Sequence, residues 1–164
     1  MDRNDIFDYI QSIAPQGIQF VNPYQDEVPL PESGDFVMVN VMSVQDVGLA
    51  QYKTVAFDDK NGNIDLEYYQ ERIYPVQFDC FGKNAQVLAM NLKAVIKDFF
   101  YNNIGTPFNI KTVTDVENLT ELLENKKYCE RYSFRIEFFV MDTREEKNEP
   151  ALLDIKPELA IIVQ

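Results

Sequence analysis

The sequence contains no histidine, and only two of its 164 residues are cysteine, Cys80 and Cys129. Histidine is the commonest general base in enzymes, and a structural zinc site needs four ligands drawn mostly from cysteine and histidine. This composition argues against histidine-dependent catalysis and against a zinc site. We therefore expect no enzymatic activity, no catalytic residues, no bound metal and no cofactor. The two cysteines are interpreted as reduced core residues.

Long apolar runs and basic residues are also scarce. No run approaches the roughly 20 residues of a membrane helix, and the opening segment MDRNDIFDYI has mixed charge. We therefore expect neither a membrane span nor a signal peptide. The chain has 15 basic residues against 27 acidic ones, a net charge of −12. Proteins that bind DNA tightly place lysine and arginine side chains against its phosphates. Because this chain is acidic, we expect no tight DNA binding.

The residues that are present predict a folded domain. Hydrophobic residues make up 46% of the chain and aromatic residues 13%, which is too apolar for a disordered segment. A length of 164 residues fits one domain of ordinary size. We therefore interpret residues 1–164 as a single domain.

Two segments repeat apolar residues at the spacing of an amphipathic helix. The first covers residues 4–13, and Asp2 or Asn4 is placed to cap it. The second covers residues 84–100 and follows Gly82, which suits a sharp turn between a strand and a helix. Its apolar stripe consists of Ala85, Leu88, Ala89, Leu92, Ile96 and Phe99.

Strands are predicted where short segments are apolar or alternate in polarity. These segments are residues 36–44, 51–57, 64–81, 109–115, 131–137 and 157–163, with a break at 46–48 between the first two. Pro75 lacks an N–H group and predicts an edge strand or a bulge. In the segment 131–137, Tyr132, Phe134 and Ile136 are predicted to face inward and Ser133, Arg135 and Glu137 outward.

The remaining segments are expected to be irregular. Residues 116–126 predict a short helix or loop, and the proline-rich residues 22–34 and the charged residues 142–150 predict mobile loops. Strands outnumber helices, and short turns join most neighbours. The predicted fold class is α+β, a mixed, largely antiparallel β-sheet with two α-helices packed on one face.

The segment DKNGNID, residues 59–65, supports two interpretations. Asn61 and Gly62 suit the tight turn of a hairpin. The alternating oxygen-bearing side chains also resemble the middle of a calcium loop. The flanking residues read as strands rather than helices, which favours the hairpin. A small cation-binding or ligand-binding domain remains the alternative from another functional class.

Aromatic residues at adjacent positions suggest a subunit interface. Tyr68 and Tyr69 are neighbours, as are Phe99, Phe100 and Tyr101, so one member of each cluster must point away from the core. Glu145, Glu146 and Glu149 could form a pair of catalytic carboxylates, but a polar segment gives no burial to shift their pKa values, so a solvated surface is favoured. The candidate interface residues are Tyr68, Tyr69, Phe81, Phe100, Tyr101, Arg144, Glu145 and Glu146.

Three segments together resemble the neck and tail-terminator family of tailed bacteriophages. Residues 21–48 join a proline-containing connector to an apolar strand, residues 71–100 form an alternating strand, an aromatic-glycine turn and an alanine-led helix, and residues 130–143 are similar to the late strand of these proteins. The resemblance implies an α+β sheet domain that forms a six-membered ring. The ring sits on the last ring of the tail tube and stops its growth.

The resemblance also implies partners and a location. The partners are other copies of the chain, in a homohexamer, the tail-tube protein and a connector or stopper protein on the head side. DNA passes through the ring without tight binding. The protein is expected in the virion, at the neck of the tail, after assembly in the host cytoplasm. The alternative in the same setting is another head–tail joining or tail-completion protein.

Overall fold

The computed structural model describes residues 2–23, 34–58, 63–103, 105–122 and 128–150. The helices and strands in chain order are α1 (Arg3–Ile13), β1 (Gln19–Val21), β2 (Phe36–Val41), β3 (Gln45–Asp58), β4 (Asn63–Phe81), α2 (Ala85–Asn102), β5 (Asn109–Val113), β6 (Glu117–Asn118), β7 (Glu121–Leu122), β8 (Tyr128–Cys129) and β9 (Arg131–Pro150). The predicted fold class is confirmed: two helices accompany a mixed, mostly antiparallel sheet.

The main sheet has seven strands, with β1, β2, β4, β9 and β5 in spatial order. Strand β3 also pairs with β4, and β6 also pairs with β9. The pairing of β1 with β2 is parallel, whereas β2 with β4, β5 with β9 and β6 with β9 are antiparallel. Strands β7 and β8 form a separate antiparallel pair.

The chain divides into two compact units. The first comprises the described residues of Met1–Val47 and Glu71–Met141, and the second those of Gly48–Gln70 and Asp142–Gln164. Both helices and the main hydrophobic core belong to the first unit. The second unit contains most of β3, the first part of β4 and the last part of β9.

Helix α1 forms where the apolar spacing predicts it. Ile6, Phe7 and Ile10 are buried on one side of the helix. Asp2 is the N-cap: the Asp5 N–H donates to the Asp2 carboxylate at 2.9 Å, and the Asp2 N–H donates to the Asp5 carboxylate at 2.7 Å. This reciprocal pair satisfies two backbone donors that the first turn leaves free. The cap and the apolar stripe are both readable from the sequence.

Helix α2 lies on the same core. Its buried residues are Ala85, Ala89, Leu92, Ile96 and Phe100. They meet the inward side chains of the central strands, which recur at every second position, as a sheet with one buried face requires. These side chains are Val37, Val39, Val41, Val76, Phe78, Cys80, Phe134, Ile136 and Phe138.

Cys80 is a core residue, as predicted, and is fully buried. Burial raises the pKa of its thiol to about 12, with a smaller contribution from the nearby Asp79 carboxylate. The thiol therefore stays protonated at neutral pH and packs as a small apolar group. The side chain of Cys129 lies outside the part of the chain that the structure describes.

Pro75 was predicted to mark an edge strand or a bulge; the edge-strand alternative is wrong, and the bulge stays a prediction. Strand β4 lies between β2 and β9. The register with β2 ends at Val76, opposite Val41. The Pro75 carbonyl accepts a hydrogen bond from the Met42 N–H at 2.9 Å, and Met42 follows the last residue of β2 in the register. Pro75 has no N–H to donate back to the Met42 carbonyl, so the ladder between β2 and β4 ends here.

Three segments differ from their predicted structure. The break at 46–48 is absent because β3 already begins at Gln45. Residues 116–126 were predicted as a short helix or loop, and their described part, residues 116–122, contains β6 and β7, which pair with β9 and β8. Residues 142–150 are not a loop, since β9 continues to Pro150.

Other predictions fall outside the described residues. These are the connector 24–33, the turn at 59–62 and the strand at 157–163. Within the strand 131–137, Phe134 and Ile136 are buried as predicted. Ser133 is buried although an outward position was expected, because Glu117 of β6 pairs beside it.

Replacing Gly82 with alanine is expected to destabilise the fold more than the same change at Gly105. Both glycines have positive φ, +115° and +92°, so either change costs about 1–2 kcal/mol of backbone energy. A Cβ on Gly82 would also lie 2.9 Å from the Asp35 Cα, whereas nothing lies within 4 Å of one on Gly105. Urea unfolding of the two variants measures the difference. Equal losses of stability in the two variants would show that the close approach of Asp35 to Gly82 does not contribute to the difference.

Candidate assembly surfaces

Helix α2 is apolar on its outer side as well as its inner side. Val87, Met90 and Tyr101 are exposed by 58%, 53% and 89%. At 100° per residue these three fall on one line together with the exposed Ala94, opposite the buried stripe. A single exposed apolar residue needs no explanation, but a line of them along one helix is typical of a protein contact surface.

A groove runs between α2 and the sheet edge that β5 forms. Two cavities of about 420 Å³ each lie along it. We call this surface the α2–β5 groove. Its lining residues are Met90, Lys93, Ala94, Lys97, Asp98, Phe100, Tyr101, Asn109, Ile110, Val113, Asp115 and Val116.

The edge of β5 is unsuited to pairing with another strand. The register with β9 shifts between Ile110 and Thr112, which leaves the exposed Lys111 at an irregularity. Bulges and lysine residues are the usual means by which edge strands avoid pairing with other chains. Contacts at this edge are therefore expected to be made by side chains in the groove.

The rim of the groove carries both signs of charge. The Lys93 ammonium lies 3.3 Å from the Asp115 carboxylate, which is fully exposed. Lys97 lines both cavities and forms no ion pair with a side chain that the structure describes. Exposed pairs of this kind contribute little to stability, so these charges are available to a partner.

The second unit presents a different surface. Leu49 on β3 is 91% exposed, and Tyr52 on the same strand is 56% exposed. The Tyr52 ring meets the Tyr68 ring edge-on at 5.3 Å. The Arg144 guanidinium lies 4.2 Å from the centre of the Tyr68 ring, on its face, which is the geometry of a cation–π contact. Arg144 of β9 thus makes a cross-strand contact with Tyr68 of β4.

The other predicted interface residues of this unit occupy distinct environments. Tyr68 is buried, and Tyr69 is half-buried. The Tyr69 hydroxyl donates a hydrogen bond to the Glu67 carboxylate, which raises the pKa of Tyr69. Glu145 is exposed, and the side chain of Glu146 lies outside those that the structure describes.

The predicted interface residues of the first unit differ in exposure. Tyr101 points to solvent, whereas Phe100, also a candidate interface residue, is 9% exposed and packs in the core. Helical geometry explains this, because Phe100 continues the buried spacing of Leu92 and Ile96. Phe81 is half-buried and stacks on Phe36 at 4.8 Å.

Sequence reasoning missed the exposed members of both surfaces, Leu49, Val87 and Met90. The line formed by Val87, Met90 and Ala94 was readable as a second apolar stripe of α2. Leu49 carried no such signal, because the segment around it was interpreted as a break between strands. Its exposure depends on the strand that tertiary pairing builds there.

Within the described ranges, no group of three or more Cys, Asp and Glu side chains is arranged to hold a metal ion. Residues 59–62 of the DKNGNID segment lie outside those ranges. Neither described helix combines the length and apolar character that crossing a bilayer requires.

One comparison with known proteins identifies a relationship. A family model described as phage neck terminator protein matches residues 4–161. This match covers α2, all of α1 except Arg3, all described strands and both surfaces. No curated protein matches the chain.

Proposed function

The chain belongs to the phage neck terminator family, and we propose from this premise that it forms a ring that ends growth of the tail tube. The ring also joins the tail to the head-side connector. The family match over residues 4–161 carries this proposal. The family is structural, and a structural role in the phage neck makes the protein a virion component.

The proposed ring contains six copies, and the tail-tube protein and the head-side connector or stopper are its neighbours. A closed ring requires two different surfaces on each subunit, because every copy contacts one neighbour through each. The α2–β5 groove and the surface around Leu49 and Tyr52 supply two such surfaces. Assembly takes place in the host cytoplasm.

Interruption of the gene in the phage that encodes this chain tests the function. We expect heads without tails and tails of uncontrolled length in electron micrographs of the lysate. A plasmid copy of the gene should restore normal particles. Detached tails of normal length would instead favour the alternative, a joining protein that does not terminate the tube. Normal infectious particles without the protein would refute both.

The protein is predicted not to hold DNA, although DNA passes through the ring. The net charge of −12 repels phosphate, and a ring concentrates that field around its lumen. Gel-shift titration at about 50 mM salt, where electrostatic binding is strongest, should give no complex with duplex DNA below about 100 µM. A low-micromolar complex would contradict the passive passage of DNA.

A further inference from the structure

A polar cavity of about 310 Å³ lies in the first unit, and β4, β6 and β9 each contribute residues to its lining. These residues include Gln77, Glu117, Ser133 and Arg135. None of the lining residues belongs to the α2–β5 groove. We call this recess the Ser133 cavity. Its volume is at the small end for a ligand site, so it fits one side chain better than a cofactor.

The Ser133 hydroxyl is a buried group without a partner. The residue is 7% exposed, and its side chain forms no hydrogen bond within the part of the chain that the structure describes. Every fully enclosed polar side-chain atom in that part has a hydrogen-bond partner, so the hydroxyl is not fully enclosed and faces the cavity that Ser133 lines. Buried polar groups in folded proteins are almost always hydrogen-bonded, so this hydroxyl indicates a bonding group from outside the chain.

Gln77 supplies an acceptor with a fixed direction. Its Nε2 atom donates to both carboxylate oxygens of the buried Asp79 at 3.1 Å, which holds the amide in one orientation. The Oε1 atom of Gln77 is therefore turned away from Asp79, and it accepts no hydrogen bond from a described residue. The cavity thus combines a fixed acceptor with a hydroxyl that can both donate and accept.

Glu117 and Arg135 add one charge of each sign. Both are exposed, and neither forms an ion pair with a side chain that the structure describes. An anionic occupant would be attracted by Arg135 and repelled by Glu117, and a cationic occupant would meet the reverse. A neutral group that donates and accepts satisfies all four residues. A carboxamide has this character, with one carbonyl oxygen and two N–H donors.

The openness of the cavity favours a side chain of a larger partner over a free molecule. Because Glu117 and Arg135 are exposed, the cavity is open to water, and a ligand of a few atoms gains little binding free energy there. A side chain is held in place by the other contacts of its own protein, so the cavity needs to supply only orientation.

We propose that the Ser133 cavity receives the carboxamide of an asparagine or glutamine side chain from a neighbouring protein of the neck. This inference rests on the proposed function and names the chemistry of one contact within it. The N–H groups of the occupant donate to Gln77 and Glu117, and its carbonyl oxygen accepts from Ser133 and Arg135. The free subunit keeps an unbonded hydroxyl in the cavity, which destabilises it until assembly supplies the partner.

Ser133→Ala separates a role in assembly from a role in folding. In the purified protein it should raise the melting temperature by about 2–4 °C, because it removes an unbonded buried hydroxyl. As the plasmid copy that complements the interrupted gene, it should give about tenfold fewer normal particles. Ser43→Ala, at an exposed serine, should alter neither quantity.

Two results with this variant would overturn the inference. A lowered melting temperature would show that the hydroxyl has a partner within the chain. A normal particle yield would show that the neck does not use it, and would leave the proposed function intact. A chain absent from wild-type necks would overturn the function itself.

Charge variants test the neutral character of the occupant. Glu117→Gln and Arg135→Gln should each lower the particle yield, by about three- to tenfold. Both positions are exposed, so the melting temperatures should match the wild type. Effects of opposite sign on the yield would show that the occupant is charged and overturn the inference.

An electron cryomicroscopy map of isolated necks identifies the occupant directly. An asparagine or glutamine side chain of another polypeptide in the Ser133 cavity is the expected result. A charged side chain, a free small molecule or ordered water alone would overturn the inference.

Discussion

Phe100→Ala is expected to lower the free energy of unfolding by about 3–5 kcal/mol, whereas Tyr101→Ala should change it by less than about 0.5 kcal/mol. The Phe100 ring packs against Phe108 at 5.4 Å and Phe138 at 5.3 Å between ring centres. Truncation removes these contacts and leaves a cavity. The Tyr101 side chain is 89% exposed, so its truncation removes few packing contacts. Urea unfolding monitored by circular dichroism measures both.

These two variants form a matched pair, since both truncate an aromatic residue in the last turns of α2. A loss of helical propensity would affect them alike, so the difference reports burial. Comparable destabilisation by the two changes would contradict the placement of Phe100 in the core. Tyr101→Ala should still impair assembly, because Tyr101 stands at the side of the α2–β5 groove.

Arg131→Met is expected to destabilise the protein by about 2–3 kcal/mol, because it leaves the buried Asp79 carboxylate without its cationic partner. Asp79 is 6% exposed at its side chain, and the Arg131 Nε and Nη2 atoms donate to its Oδ1 at 3.2 and 3.1 Å. Gln77 also donates to Asp79 at 3.1 Å. The expected loss of stability is smaller than for a fully buried ion pair, because the Arg131 side chain is 31% exposed.

The opposite change should cost less. Asp79→Asn leaves a guanidinium that reaches water and still lies over the Phe81 ring at 5.7 Å, so about 1 kcal/mol is expected. The double variant should then be more stable than the sum of the single losses predicts. Additive losses, or a larger loss for Asp79→Asn, would show that the buried carboxylate is not what Arg131 stabilises.

The sequence by itself determined the helices and most of the core. The positions of α1 and α2, the Asp2 cap, and the inward residues of β4 and β9 follow from local rules. Helical spacing and strand alternation fix which side chains share a face, whatever the rest of the chain does. The same reasoning supplied the fold class.

For the interface, the sequence identified the aromatic clusters but did not show which of their residues are buried and which are exposed. Tyr101 is exposed and Phe100 is buried. The Tyr68 ring contacts the Tyr52 ring and the Arg144 guanidinium. Three adjacent aromatic residues on a helix point in three directions. Helical spacing from Leu92 and Ile96 places Phe100 on the buried side of α2, whereas the contacts of Tyr68 depend on strands that pair in the tertiary structure.

Tertiary structure alone decided the short strands and the two surfaces. Residues 117–118 and 142–150 lack a strand pattern of their own and are strands through pairing with remote segments. The α2–β5 groove exists because a helix and a sheet edge, separated by a turn in the chain, lie side by side without filling the space between them. Such pairings depend on contacts between residues distant in sequence, which no local spacing encodes.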